Sequence, residues 1–199
     1  MGQTSGGASR LQRLGDKNRP SGKWRYRIHL ATQKSGGYMT IAVGDTFPQA
    51  TLKAKGAQGL EDLHTKDIID GNKVVLFGIP GAYTGTCTNT HLPSYLAKMD
   101  ELKAKGVDHV VCLSVNDPFV MKAWADQYDP QGKVVMFPDG NAEVTKALGL
   151  EMDGSGAGLG TRCKRCSIVI DNGIVKSLEI EPNPGVMEVS GADVCLRSL

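Results

Sequence analysis

The sequence predicts an α/β fold with a central mixed sheet flanked by helices. Three features point to it: short, continuously apolar, β-branched runs; helical periodicity between those runs; and two late apolar runs joined by Asn172-Gly173. Continuous apolar runs suit strands covered on both faces, and intervening helices suit parallel crossover connections. Asn-Gly is the strongest two-residue hairpin signal, so the sheet should finish in antiparallel strands.

Lys73-Val-Val-Leu-Phe-Gly-Ile79 is the first such run and reads as a buried strand. Leu92, Tyr95, Leu96, Met99 and Leu102 then recur at helical spacing, and Gly106 is a good residue to follow a helix end. Val110–Val115 reads as a second buried strand. Asp117-Pro118 offers an N-cap and a first-turn proline to a helix carrying Phe119, Ala123 and Trp124. Val134–Phe137 is a third strand, followed by the turn Pro138-Asp139-Gly140 and a short helix from Asn141. Cys166–Asp171 and Ile174–Ile180 form the hairpin. A last helix starts near Ser190, with Asp193 three residues on in a weak capping-box pattern. The order β-α-β-α-β-α, hairpin, helix is a thioredoxin-like layout.

At 199 residues the chain has room for one domain and a modest extension. Its net charge of +2 averages two unlike regions: residues 1–38 hold eight basic residues against Asp16 alone, net +7, and residues 39–199 are net −5. We read 1–38 as a basic, disordered extension and 39–199 as the folded domain. The Arg-rich, Ser-containing, acid-poor extension fits a mitochondrial or plastid transit peptide. It fits equally a solvated segment, or one not natively translated, with Met39 as the start. A nucleic-acid arm built on Lys23, Trp24, Arg25, Tyr26 and Arg27 is the weakest reading, because charge runs of this size are usually solvated. MGQTSG misses the myristoylation pattern, since position 6 is Gly. No apolar run approaches the roughly 18 residues of a membrane span, so no membrane partner is expected. The five cysteines, Cys87, Cys112, Cys163, Cys166 and Cys195, are odd in number and set in or beside apolar segments. That pattern favours a reducing, intracellular compartment, cytoplasmic or mitochondrial.

In open α/β sheets, sites form beyond the carboxyl ends of strands, where the chain meets helix starts. There lies Pro80-Gly-Ala-Tyr-Thr-Gly-Thr-Cys87. A cysteine in a first helical turn faces unpaired N–H groups and the positive end of the helix dipole, which favours its thiolate. Free cysteines are more often buried and inert. Here, however, the hydroxyls of Thr84 and Thr86, with Gly81, Ala82 and Gly85, make a polar, close-approach loop rather than a packing site. Cys87 is therefore a candidate nucleophile.

The pattern Pro80-x-x-x-Thr84-x-x-Cys87 resembles the active-site motif of the peroxiredoxins. The longer stretches GIPGAYTGTCTNTHLP and CLSVNDPFVMKAW are similar to their type II (atypical, thioredoxin-fold) subfamily, and the resemblance spans nearly all of 39–199. It implies reduction of hydrogen peroxide and organic hydroperoxides, with Cys87 as the peroxidatic cysteine that becomes a sulfenic acid. It also implies that Arg165, in Arg162-Cys-Lys-Arg165-Cys-Ser, is the catalytic arginine, and that neither metal nor organic cofactor is required. The chemistry agrees. Thiolate attack on a peroxide breaks the O–O bond and puts negative charge on the departing oxygen, which calls for fixed donors and a cation. Arg165 would favour the thiolate and hold the peroxide, Thr84 would hydrogen-bond both, and Pro80 would limit solvent access. Arg162 competes for the arginine role; spacing from the following strand favours Arg165.

His91 shares a helical face with Cys87, which also allows an acyl-transfer Cys–His pair. No orienting acid is evident, and a place near the site mouth or a subunit interface is the expectation. His29, His64 and His109 show no ligand spacing. Cys163 and Cys166 form a C-x-x-C, a redox dithiol or half a zinc site, with no second pair to complete the latter. Two alternatives to a peroxidase follow: a thioredoxin-like disulfide reductase using Cys163 and Cys166, and a non-enzymatic redox sensor. For recycling, Cys112 matches the second cysteine of many type II sequences and is the candidate resolving thiol, although its apolar neighbours favour a buried, slow partner. Cys195 stands several residues beyond the place of the resolving cysteine in animal members, where this chain has Val189. Direct attack on the sulfenic acid by glutathione, glutaredoxin or thioredoxin is the simpler expectation. The resemblance also implies a homodimer with Tyr83, Phe119 and Trp124 near the interface; plain core aromatics are the alternative.

Overall fold

The computed structural model describes residues 39–199, and the readings placed on 1–38 and on His29 lie outside the described residues. A hairpin of β1 (Thr51–Gly56) and β2 (Gly59–His64) leads into a short helix, α1 (Thr65–Ile69). β3 (Lys73–Ile79) follows, then a π-helical turn at Cys87–His91 that runs into α2 (Leu92–Ala97) and α3 (Met99–Ala104). Next come β4 (His109–Ser114), α4 (Pro118–Tyr128), β5 (Val135–Pro138) and α5 (Glu143–Ala147). A small hairpin of β6 (Glu151–Asp153) and β7 (Thr161–Cys163) precedes β8 (Cys166–Asp171), β9 (Ile174–Ile180) and α6 (Ala192–Arg197).

The five-stranded sheet has the order β5-β4-β3-β8-β9. β3 pairs in parallel with β4, and β4 with β5; β8 and β9 are antiparallel additions. The mixed sheet flanked by helices, expected from the apolar runs, is therefore present. β3 lies at its centre because both its faces are apolar. Val75, Phe77 and Ile79 join a buried cluster with Cys87, Leu92, Tyr95, Cys112 and Trp124, while Val74 and Leu76 join one with Val111, Leu113, Phe137, Cys163 and Cys166. Burial contributes about 1.5–3 kcal/mol for each large apolar side chain, so this one strand anchors both layers.

The local signals behave as their chemistry dictates. Asp117 Oδ1 accepts from the N–H groups of Phe119 and Val120 at 2.9 and 3.0 Å, capping α4. Asn172 and Gly173 adopt φ of 48° and 79°, the left-handed pair that a tight hairpin turn requires. Two expectations need correction. The single helix read from Leu92 toward Gly106 is two, α2 and α3, because Lys98 donates to the Tyr95 carbonyl in a tightened turn (φ −104°, ψ 10°). Ser190 forms no capping box: it is buried, its hydroxyl donates to Glu181, and α6 starts behind Gly191. β1, β2, α1, β6 and β7 were not legible as elements. They are short and largely half-exposed, so no apolar period marks them.

Candidate active site

The carboxyl ends of the adjacent parallel strands β3 and β4 place two loops side by side. In the first, Thr84 Oγ1 donates to the Gly81 carbonyl at 2.9 Å and the Thr84 carbonyl accepts from Thr88 N–H at 3.0 Å, which starts the helical turn carrying Cys87. Tyr83 between them sits at φ 64°, a left-handed conformation that costs a non-glycine residue energy and is found where a loop is shaped for use. The second loop braces the first: Asn116 Oδ1 accepts from Ala82 N–H at 3.0 Å and from Ser114 Oγ at 2.7 Å. Pro80 is buried beneath this loop.

Cys87 is fully buried, and Arg165 Nη2 donates to its sulfur at 3.4 Å. Arg165 occupies the two-residue link between β7 and β8 and is 2% exposed. Its Nε and Nη2 donate to the Pro184 carbonyl at 3.0 and 2.8 Å, and its Nη1 donates to His91 Nδ1 at 3.1 Å. A guanidinium has no acceptor, so His91 Nδ1 must accept, and the ring proton lies on Nε2, which donates to the Ser190 carbonyl at 3.0 Å. Burial pushes the imidazole pKa down to about 4; the Ser190 bond opposes this and the Arg165 charge reinforces it. Arg165 is thus a buried cation whose bonded partners are a carbonyl, a neutral imidazole and a thiol. Among these the thiol can become an anion, and a buried cation gains most from an anionic partner.

The neutral, Arg-bound imidazole cannot also serve Cys87 as a base. His91 is accordingly neither half of a Cys–His dyad nor at the site mouth: it is buried against Phe77 and Tyr95, at ring separations of 5.0 and 5.6 Å. Arg162, the competing arginine, donates instead to the Leu159 and Val115 carbonyls at 2.8 and 2.9 Å and lies against Gly81, bracing the loops.

The segment after β9 closes over this cluster. Thr86 Oγ1 donates to the Gly185 carbonyl at 2.8 Å, and Tyr95 OH shares the Ser190 carbonyl with His91 at 2.8 Å. Glu181 and Pro184 do not stand out in the sequence, where Ser190 reads only as a helix start. The one available signal was an acid and two prolines directly behind an apolar strand, in Glu181-Pro-Asn-Pro184.

All five cysteines are free and buried. Cys112 lies opposite Phe77 in the sheet, and burial pushes its thiol pKa well up. Burial also pushes the Cys195 thiol up, to about 12. Cys163 and Cys166 belong to the core cluster on the other side of β3, where both sulfurs fill the hollow left by Gly78: a Cβ there would lie 2.7 Å from one and 2.9 Å from the other. The Cys163 thiol is pushed up by its hydrogen bond with Cys166 and by burial. A disulfide reductase must present its dithiol to a partner, and this pair is interior packing. Trp124 is likewise core, its indole donating to Thr88 Oγ1 at 3.1 Å, which corrects its expected place at an interface; Tyr83 and Phe119 are 48% and 56% exposed. His64 meets Thr51 Oγ1 on the outer hairpin, and His109 begins β4, both away from Cys87 in the fold. Among the described residues no helix is long and apolar enough to cross a membrane.

Residues 42–196 match the protein family described as Redoxin. The chain is 46% identical over 160 residues to Peroxiredoxin-2C of Oryza sativa subsp. japonica, covering 80% of this chain and 98% of that protein. It is 38% identical over 178 residues to Peroxiredoxin-2F, mitochondrial, of the same organism, covering 89% and 90%. Among solved structures, reduced Prx3 from Vibrio vulnificus in complex with H2O2 is similar with a TM-score of 0.74 at 46% identity, over 80% of this chain and 99% of that one. With the sheet order, the loop at Cys87 and these likenesses in agreement, the chain belongs to the peroxiredoxins, in their type II subfamily, and is a thiol-dependent peroxidase.

Proposed function

We propose that the chain reduces hydrogen peroxide and organic hydroperoxides at Cys87, with Arg165, Thr84 and Pro80 completing the site. The observation that carries this reading is the 3.4 Å bond from Arg165 Nη2 to the Cys87 sulfur inside the core. The thiolate attacks one peroxide oxygen, an S–O bond forms as the O–O bond breaks, and sulfur gives up two electrons. The departing oxygen takes a proton and leaves as water or an alcohol, and Cys87 becomes a sulfenic acid. Arg165 faces both the attacking sulfur and the charge that develops on the leaving oxygen. Thr84 spends its single hydroxyl proton on Gly81, so it does not donate to the thiolate as expected from the sequence, and its oxygen is left to accept from a peroxide O–H. Pro80, with no N–H of its own, closes the base of the loop.

A second thiolate then attacks the sulfenic sulfur, forming an S–S bond and releasing water. Burial keeps Cys112 and Cys195 protonated at neutral pH, which favours an external reductant, glutathione, glutaredoxin or thioredoxin, over an internal disulfide; Cys112 is the internal alternative. Free thiols and a mitochondrial relative support an intracellular setting, cytoplasmic or mitochondrial. The exposed Tyr83 and Phe119 support a homodimer in which they meet the second copy.

Peroxide consumption by the wild type and by Cys87→Ser, with dithiothreitol as reductant, tests the assignment: the variant loses activity, and retained activity overturns it. Mass spectrometry of peroxide-treated protein with and without glutathione identifies which cysteine changes and whether it pairs with glutathione or with Cys112.

A further inference from the structure

We propose that Glu181 is a positioning residue for this reaction: it anchors the strap of residues 181–190 and thereby aims the Arg165 guanidinium at Cys87. The proposal rests on Cys87 being the attacking sulfur. Glu181 directly follows β9 and is 5% exposed. Its Oε1 accepts four hydrogen bonds, from the N–H groups of Glu188, Val189 and Ser190 and from the Ser190 hydroxyl, each at 2.8 Å. One carboxylate oxygen therefore ties the far end of the strap back to its start. Burial alone would raise its pKa, and the bonds from Ser190, Val189 and Glu188 outweigh that, leaving it below the usual carboxylate range.

What the strap carries gives the anchor its consequence. The Pro184 carbonyl takes two bonds from Arg165, the Gly185 carbonyl holds Thr86 beside Cys87, and the Ser190 carbonyl holds His91 Nε2 and Tyr95 OH. His91 in turn takes the third bond of the guanidinium, on Nη1. Both acceptors that orient Arg165 thus depend on strap carbonyls. Glu181 also grips Arg165 through the main chain, its N–H donating to the Arg165 carbonyl at 2.9 Å. Charge-assisted bonds to an ionised carboxylate are about twice as strong as neutral ones, so four on one atom form the firmest tie in the strap. The residues between Pro182 and Gly185 are exposed and have little packing to hold them otherwise.

A cycle of variants in the full chain tests this. Glu181→Ala is expected to lower kcat/KM for hydrogen peroxide about tenfold, with Glu181→Gln, which keeps a carbonyl acceptor, recovering at least a third of the wild-type value. In an Arg165→Ala background, Glu181→Ala should change kcat/KM less than twofold, since the residue through which it acts is gone. The rate of Cys87 alkylation by iodoacetamide, followed by mass spectrometry without peroxide, should fall in parallel only where Arg165 is present. Wild-type kcat/KM in Glu181→Ala, or an equal loss with and without Arg165, overturns the proposal. If Glu181→Ala does not fold, the same cycle with Glu181→Gln decides, at a smaller amplitude. Peroxidase activity surviving in Cys87→Ser would overturn the peroxidatic assignment instead, and the alkylation rate reads the Arg165–Cys87 pair independently of it.

Discussion

Arg165 Nη1 and His91 Nδ1 are bonded at 3.1 Å in the core, and this bond allows only the neutral imidazole. The unfolded histidine titrates near 6.5 and the folded one near 4. Between those values the unfolded chain binds a proton that the folded chain refuses, so stability is full above pH 6.5 and falls as pH drops toward 4. The loss is up to about 3 kcal/mol for the whole window. Urea unfolding at pH 7 and pH 4.5 should show most of it in the wild type and much less in His91→Leu. Glu181, whose folded pKa is depressed, begins to lose its own stabilisation as pH falls through the unfolded value of 4.5, but it is present in both proteins and cancels from the comparison. Equal slopes in the two proteins would mean that His91 is free to charge.

The two arginines should separate by kind of effect. Arg165→Ala removes the cation at the sulfur and is expected to slow peroxide turnover well over tenfold. Arg162→Ala removes bonds to the Leu159 and Val115 carbonyls and should cost about 1–2 kcal/mol of stability with a smaller loss of kcat/KM. Steady-state kinetics and chemical denaturation on both variants check the pair; reversal of the two patterns would transfer the catalytic role to Arg162.

At Gly78 an added methyl group would meet the Cys166 and Cys163 sulfurs at 2.7 and 2.9 Å. Gly78→Ala should therefore destabilise by about 1–3 kcal/mol, and Cys166→Ala in the same chain should restore part of it. Cys163→Ala/Cys166→Ala without the glycine change should keep peroxidase activity within twofold. A large drop would show that the pair takes part in the chemistry.

Thr84 pins the loop through Gly81, and in the proposed reaction its oxygen accepts from the peroxide. Thr84→Val should lower kcat/KM for hydrogen peroxide more than tenfold, while Thr84→Ser retains most of it. A Val variant as active as Ser would leave Thr84 no role beyond filling space.

Whatever rests on neighbours along the chain was legible before folding. The apolar run at 73–79 demanded a buried strand, Asp117 capped its own helix, Asn172-Gly173 made its turn, and Cys87 fell at the start of a helix behind a strand end. Each is a short-range matter of backbone conformation, propensity or period. The rest was set by contacts that form in space. Arg162 and Arg165 are three residues apart, and which one reaches the sulfur depends on how β7 and β8, strands of different sheets, are joined. The C-x-x-C lies across the sheet from Cys87 because the register sets Cys166 opposite Gly78, and side chains alternate between faces from there. His91 and Glu181 acquire their partners from segments 74 to 99 and 7 to 9 residues away, respectively. A carboxylate or imidazole reads as ordinary until folding brings the donors to it, because a hydrogen bond is decided by position in space, which side-chain type and spacing along the chain leave open.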